Sequence, residues 1–317
     1  MTDRISYLDG AFVPHKEARI SIASHVVNYG TGCFEGIRAY WNMAHGQLYA
    51  TLLDEHAERL VRSCHILGLD AHLEAGEIAE VVLELLRRNE VRHDAYIRPL
   101  VFKSDESITV KLGGLRTSFA AYCQEMGEYL DIDKGLSLAY SSWRRIDDNA
   151  LPSRAKVIGS YVNAALASEG ARRAGFDEAL MLTADGHVAE ASSSNVFFVF
   201  GGELHTPAVS DDILVGVTRA AVIELAGGMG IEAHERRIDR SESFVAEESF
   251  LCGTGMQIAP VTAIDRREIG DGKPGPITLA LQEAYLAAVH GDDAEHAAWR
   301  TAVYSPPAGG DGGKGGA

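Results

Sequence analysis

Residues 196–200 read Val-Phe-Phe-Val-Phe, and this run limits the fold more tightly than any other stretch of the chain. Successive side chains of a strand point to opposite faces, so an apolar run without alternation needs cover on both sides. The segment therefore reads as a fully buried strand, which suits the α/β fold expected of this chain. Alternation around Asp9-Gly10 over residues 5–14, and the run 47–53, predict that the chain begins in sheet. Helical spacing follows: Ala57, Leu60, Val61 and Cys64, then Ile78, Val81, Val82, Leu85 and Leu86, recur on one face. Strands are expected again at 95–102 and 117–124, which closes an α+β unit near Tyr122. Beyond an acidic stretch at 127–134, strands are expected at 136–140, 178–183, 195–200, 247–252 and 260–264. Helices are expected from about Ser160 to Ala174, stopped by Gly175, from Val217 to Gly227-Gly228, and over 277–289.

A length of 317 residues suits two cores rather than one or three. The expected division is a small N-terminal α+β domain over 1–125, a linker over 126–135 and a large domain over 136–304. The Pro, Gly and Asp tail over 305–317 has almost nothing to bury and is predicted to be disordered. No internal repeat is visible.

Composition excludes several function classes. A formal net charge of -16, with scattered basic residues, disfavours nucleic acid as a partner. No apolar run is long enough to span a bilayer, and Met1-Thr2-Asp3-Arg4 leads straight into a strand-like segment without a secretory apolar core. The expectation is a cytoplasmic protein without a membrane partner. Cys33, Cys64, Cys123 and Cys252 are widely spaced, which suits reduced, buried thiols rather than zinc ligands or disulfides. No metal is expected. Gly30-Thr31-Gly32 has Glu35 where a dinucleotide fingerprint needs its third glycine, and Gly253-Thr254-Gly255 has Ile258 there. Phosphate-loop, zincin and nucleophile-elbow motifs are absent.

Lys156 is the residue most suggestive of chemistry. It lies in Leu151-Pro152-Ser153-Arg154-Ala155-Lys156-Val157-Ile158-Gly159-Ser160-Tyr161, where small residues allow close backbone approach and a helix follows. A lysine in a confined site near other cations becomes nucleophilic toward carbonyls. Read alone, it is more simply a solvated lysine.

Four ordered blocks change that balance. They are Tyr29-Gly30-Thr31-Gly32-Cys33-Phe34-Glu35-Gly36-Ile37-Arg38, then Ala95-Tyr96-Ile97-Arg98-Pro99-Leu100, then Ser141-Ser142-Trp143-Arg144 running on to the Lys156 segment. The fourth joins Glu190-Ala191-Ser192-Ser193-Ser194-Asn195-Val196-Phe197, Gly216-Val217-Thr218-Arg219 and Phe250-Leu251-Cys252-Gly253-Thr254. Together they resemble the fold-type IV, class IV aminotransferases, and the branched-chain amino acid aminotransferases in particular, over residues from about 5 to 290.

The resemblance implies a two-domain enzyme with pyridoxal 5'-phosphate between the domains. It also implies a homodimer in which each pocket is finished by the neighbour, and ping-pong amino transfer between a branched-chain L-amino acid and 2-oxoglutarate. Lys156 would carry the cofactor as a Schiff base and then move the substrate proton. Glu190, otherwise a strand-end charge, would partner the pyridine nitrogen, and Tyr161 the phenolic oxygen. Gly216, Val217 and Thr218, at a helix start, and Thr254 would bind the phosphate. Tyr96 and the turn at Thr254-Gly255 resemble the α-carboxylate site, and Arg98 the receiver of glutamate's distal carboxylate. Tyr29, Phe34, Arg38, Met126 and Tyr129 complete the implied substrate site. Met126 stands where such enzymes often have tryptophan, and Gly255-Met256-Gln257 departs from their small-residue turn, which leaves the pocket shape open. Leu52 stands where the family offers the phosphate an arginine, so weaker cofactor retention or a substitute donor is expected. A D-amino-acid or (R)-amine transaminase, or an aminodeoxychorismate lyase of the same fold, is the alternative reading.

Overall fold

A computed structural model describes residues 4–127 and 134–305. The acidic linker expectation falls mostly, and the tail expectation almost wholly, outside the described residues. The first half contributes β1 (Ile5–Leu8), β2 (Ala11–Pro14), α1 (His25–Tyr29), β3 (Gly32–Phe34), β4 (Ile37–Asn42), β5 (Gln47–Thr51), α2 (Leu53–Leu67), α3 (Ala75–Arg88), β6 (Ala95–Lys103) and β7 (Thr117–Glu125). The second contributes β8 (Leu136–Tyr140), α4 (Tyr161–Arg173), β9 (Glu178–Leu182), β10 (Val188–Ala191), β11 (Asn195–Phe200), β12 (Glu203–Thr206), α5 (Val217–Gly228), β13 (Ala233–Glu235), β14 (Glu248–Gly253), β15 (Gln257–Ile264), β16 (Arg267–Glu268), α6 (Pro276–His290) and β17 (Arg300–Ala302).

Two sheets organise these elements. The first runs β17-β5-β4-β6-β7-β1-β2, with β3 also paired to β6. Its β1–β2 hairpin turns at Asp9 and Gly10, both at positive φ (45° and 90°), as a two-residue hairpin loop requires. The second runs β10-β9-β8-β15-β14-β11-β12-β13 and carries β16 on β15. The buried strand expected at 196–200 is β11, and its side chains divide between two cores. Phe197 and Val199 enter the one that includes Val222 and Leu225 of α5 and Leu281 and Tyr285 of α6. Val196 and Phe198 enter the other, with Leu138, Leu180 and Leu251. This alternation explains the lack of polar relief in the sequence.

Helix ends follow local chemistry. Glu74 and Glu77 form a reciprocal capping box at the start of α3. Glu248 of β14 accepts Ile277 N–H, Thr278 N–H and Thr278 Oγ1–H at 3.0, 2.8 and 2.7 Å, so its carboxylate sits on the N-terminus of α6. Gly68 ends α2 in the left-handed conformation.

The structure departs from the sequence expectations in several places. The run 47–53 is strand only to Thr51; Leu52 turns the chain with φ 50° and Leu53 already begins α2. The helix expected to stop at Gly227-Gly228 includes both glycines and is capped at Met229. Strand β4 was not expected, although its residues are nearly all buried. Nor was β17, which lies in the segment assigned to the large domain yet pairs with β5 at the edge of the first sheet.

Candidate active site

A cavity of about 300 Å³ opens where the two sheets meet, lined from the first by Phe34, Tyr96 and Arg98 and from the second by Glu190, Thr254 and the start of α5. Lys156 enters it because its backbone is held on two sides. Its carbonyl accepts Phe34 N–H of β3 at 3.0 Å, and its own N–H donates to Ser63 Oγ of α2 at 3.1 Å. Its Nζ donates to the Tyr161 hydroxyl at 2.8 Å and lies 5.2 Å from the Phe34 ring centroid. Lys103 is more deeply buried, but its amine is bound by Leu115 O and Thr117 Oγ1 away from the cavity.

Glu190, on β10, is 5 % exposed, and three donors aim its carboxylate. Arg145 Nη2 lies 2.7 Å from Oε1, while Asn195 Nδ2 and Leu214 N–H donate to Oε2 at 2.9 and 3.1 Å. Burial pushes the Glu190 carboxyl above its ordinary range, and Arg145 is the strongest influence holding it back. Among the weaker ones is the charge of Lys156, felt across the same cavity.

Gly216 precedes α5, no side chain among the described residues caps the helix, and Gly216, Val217 and Thr218 at its start line the cavity. A side chain at Gly216 would collide with the Asn195 amide, which fixes glycine at this close approach. Ser194 is also on the cavity wall, and its buried hydroxyl has no hydrogen-bond partner among the described residues. On the opposite wall, Tyr96 and Arg98 share a face of β6, and Arg98 Nη2 donates to the Tyr96 hydroxyl at 2.8 Å. The Arg98 guanidinium lies 4.4 Å from the Phe34 ring centroid, and its Nε has no hydrogen-bond partner among the described residues. Gly36 leaves room for the Tyr96 hydroxyl, which a Cβ would displace.

Of the residues singled out by sequence, Lys156, Tyr161, Glu190, Gly216, Val217, Thr218, Thr254, Phe34, Tyr96, Arg98, Met126 and Gly255 line this one cavity. Arg38 does not: its guanidinium donates to Met126 O and Gly127 O at 3.0 and 3.3 Å and stacks over Tyr40, so its charge holds the end of β7. Tyr29 does not either. It is 41 % exposed at the end of α1, with its hydroxyl donating to Ile108 O. Tyr129 lies outside the described residues.

Sequence reasoning missed Arg59. Leu52 is buried in the core beneath α5 and α6 and could not have served the cavity, but Arg59, further along α2, lines it. Arg59 Nη1 donates to Val215 O at 2.9 Å, beside the start of α5, while Nε and Nη2 grip Glu35 at 2.7 and 2.8 Å. It is thus an arginine on the helix, and no side chain at position 52, that brings a cation to the cavity wall. Its signal was a pair of polar residues, His56 and Arg59, on the buried side of an amphipathic helix. Arg145 was missed beside the quoted Arg144, and Asn195 was read only as part of its block.

A second cluster, Glu203, His205 and His234, brings possible metal-ligand atoms within 4.8 Å of one another on β12 and β13. Arg236 Nε donates to His205 Nδ1 at 2.8 Å, which occupies that lone pair and sets a cation against the cluster.

The comparisons agree with one another. A family model described as amino-transferase class IV matches residues 32–264. A probable branched-chain-amino-acid aminotransferase of Aquifex aeolicus is 45% identical over 300 residues, covering 94% of this chain and 96% of the relative. The branched-chain-amino-acid aminotransferase of Pseudomonas aeruginosa is 36% identical, covering 95% and 98%. Among solved structures, the branched-chain aminotransferase of Thermoproteus uzoniensis with norvaline superposes with a TM-score of 0.91 at 41% identity, covering 95% of this chain and 99% of that one. The branched-chain amino acid aminotransferase of Thermobaculum terrenum in its PLP-form gives 0.91 at 38%, covering 96% and 99%.

Proposed function

The chain belongs to the class IV aminotransferases and has their two-domain α/β fold, fold-type IV, and from that premise we propose that it moves an amino group between branched-chain L-amino acids and 2-oxoglutarate, in either direction and by a ping-pong scheme, with pyridoxal 5'-phosphate as cofactor. The observation that carries the reading is that Lys156, hydrogen-bonded to Tyr161, shares one cavity with Glu190. An amine and a carboxylate that face a common space can grip the two ends of one pyridine ring.

The other walls fit the same group. The uncapped start of α5, the Arg59 guanidinium and Thr254 would hold the phosphate. The Ser194 hydroxyl, buried without a protein partner, suits a ligand that brings an acceptor. When bound, the cofactor supplies an aldehyde that takes up amines and a ring that accepts the electron pair of a broken Cα–H bond.

The chain's own residues do the rest. Lys156 Nζ would anchor the cofactor and, as a free amine, would take the proton from the substrate Cα. Tyr161, 2.8 Å from that nitrogen, steers it. Glu190, aimed by Arg145, Asn195 and Leu214 N–H, holds a proton at the ring nitrogen. Phe34, Tyr96 and Met126 offer an aliphatic side chain apolar cover, while the Arg98 guanidinium on the cavity wall would receive the distal carboxylate of glutamate. One pocket thereby serves both half-reactions. The turn at Thr254-Gly255 would take the α-carboxylate. The exposed residues Val27, Tyr29, Ile108 and Val110 lie on two segments tied by hydrogen bonds, the apolar face that a second copy would cover in a homodimer. There Tyr29 would help finish the neighbour's cavity. Four buried, reduced cysteines suit the cytoplasm.

The test is a donor panel with 2-oxoglutarate as acceptor. L-leucine, L-isoleucine and L-valine should outpace D-alanine and (R)-1-phenylethylamine, and the reverse order would reject the assignment.

A further inference from the structure

We propose that Glu35 is a positioning residue which, with His56, aims the Arg59 guanidinium at the cofactor phosphate. The inference rests on the cofactor reading above and deepens it. Glu35 has no exposed surface and does not line the cavity, so it can act there only through its neighbours. Its carboxylate accepts Arg59 Nε–H and Nη2–H at 2.7 and 2.8 Å, His56 Nδ1–H at 2.8 Å and Gly36 N–H at 3.2 Å. Arg59 Nη1 meets Val215 O, so the guanidinium plane is fixed from the first sheet on one side and from the α5 approach on the other. A guanidinium has more N–H donors than these contacts use, and Arg59 lines the cavity.

Stability alone does not account for the arrangement. Buried ion pairs are commonly no better for stability than apolar residues of the same volume, whereas a pre-aimed fork spares the ligand the cost of ordering it. Burial pushes the His56 imidazole down, so it grips the carboxylate as a neutral donor and adds no charge. Electrostatics and geometry then predict opposite signs. An anion behind Arg59 weakens that cation's pull on a phosphate, so if Glu35 only neutralised a buried charge, its removal would tighten phosphate binding. If Glu35 aims the fork, removal loosens it.

The experiment titrates the full chain, Glu35→Gln and His56→Gln with pyridoxal 5'-phosphate and separately with pyridoxal, following visible absorption of the lysine-linked form. Glu35→Gln should weaken binding of the phosphorylated ligand by about 10- to 100-fold, the worth of a charge-assisted hydrogen bond, and binding of pyridoxal by no more than about twofold. His56→Gln should give a smaller loss with the same selectivity, roughly 3- to 10-fold. Equal losses on both ligands, no loss, or tighter phosphate binding would overturn the proposal. If melting shows Glu35→Gln unfolded, His56→Gln decides alone. A wild-type chain that took up neither ligand would instead refute the cofactor reading, and this proposal with it.

Discussion

Replacing Arg145 by methionine tests the proposed electronic role of Glu190. The two side chains are 10% and 6% exposed and 2.7 Å apart, so solvent screens the pair poorly. Unit charges about 4 Å apart interact by about 4 kcal/mol at an effective dielectric of about 20. Asn195 and Leu214 N–H remain in place and soften the effect, but the carboxyl is pushed further in the direction that burial already sets. A carboxyl that keeps its own proton cannot hold one on the ring nitrogen. At neutral pH kcat should therefore fall by about 10- to 100-fold, the worth of a charge-assisted hydrogen bond, and should recover as pH rises. Glu190→Gln, which has nothing to titrate, should lose activity without recovery. Stability gives a second readout. The native state binds the Glu190 proton more tightly than the unfolded chain does, so stability declines as pH rises from the ordinary 4.5 through the raised value. Arg145→Met should extend that decline to higher pH and cost about 3–5 kcal/mol where Glu190 is ionised. Denaturant titrations between pH 5 and 8 measure it. A variant whose rate and stability profiles both superimpose on the wild type would refute the argument.

Lys156→Ala should abolish the visible absorption of the lysine-linked cofactor and lower turnover by at least about 1,000-fold, with a melting temperature close to wild type for the cofactor-free chains. Arg98→Met should raise KM for 2-oxoglutarate by about 10- to 100-fold while changing KM for L-leucine much less, since only the former brings a distal carboxylate; steady-state kinetics on both substrates would decide. Burial favours the protonated form of Glu35, but Arg59 and His56 outweigh it and hold the carboxyl well below its ordinary 4.5. Its contribution to stability is therefore present above 4.5 and lost as pH falls below it, and Glu35→Gln should flatten that acid limb in chemical denaturation. Glu248→Ala should remove the carboxylate at the start of α6 and cost about 1–3 kcal/mol in denaturant titration while leaving kcat unchanged.

Much of this was legible in the sequence because local pattern and native contact coincide. The run at 196–200 announces β11 because both faces of that strand meet apolar partners. Lys156 and Tyr161 lie within one segment, and the structure joins them directly. What escaped depends on pairing across the chain. Nothing near Arg300 signals a strand, because β17 is strand only by virtue of lying against β5. Arg59 escaped because an arginine for the cavity was sought at the strand end, at Leu52, whereas the helix face that carries Arg59 was read for its apolar members. Arg38 was placed in the cavity through its block, but the carbonyls of Met126 and Gly127 claim its guanidinium.

The strand β17 has a consequence for how the molecule is made. Leu52 N–H donates to Trp299 O at 2.7 Å, Val303 N–H to Leu48 O at 2.9 Å, and Arg87 Nε to Val303 O, while the Trp299 side chain sits in the core beneath α5 and α6. The margin of the first sheet is thus completed by some of the last described residues to leave the ribosome. Until they emerge, β5 waits with a bare hydrogen-bonding edge, the kind of surface on which nascent chains stick to one another.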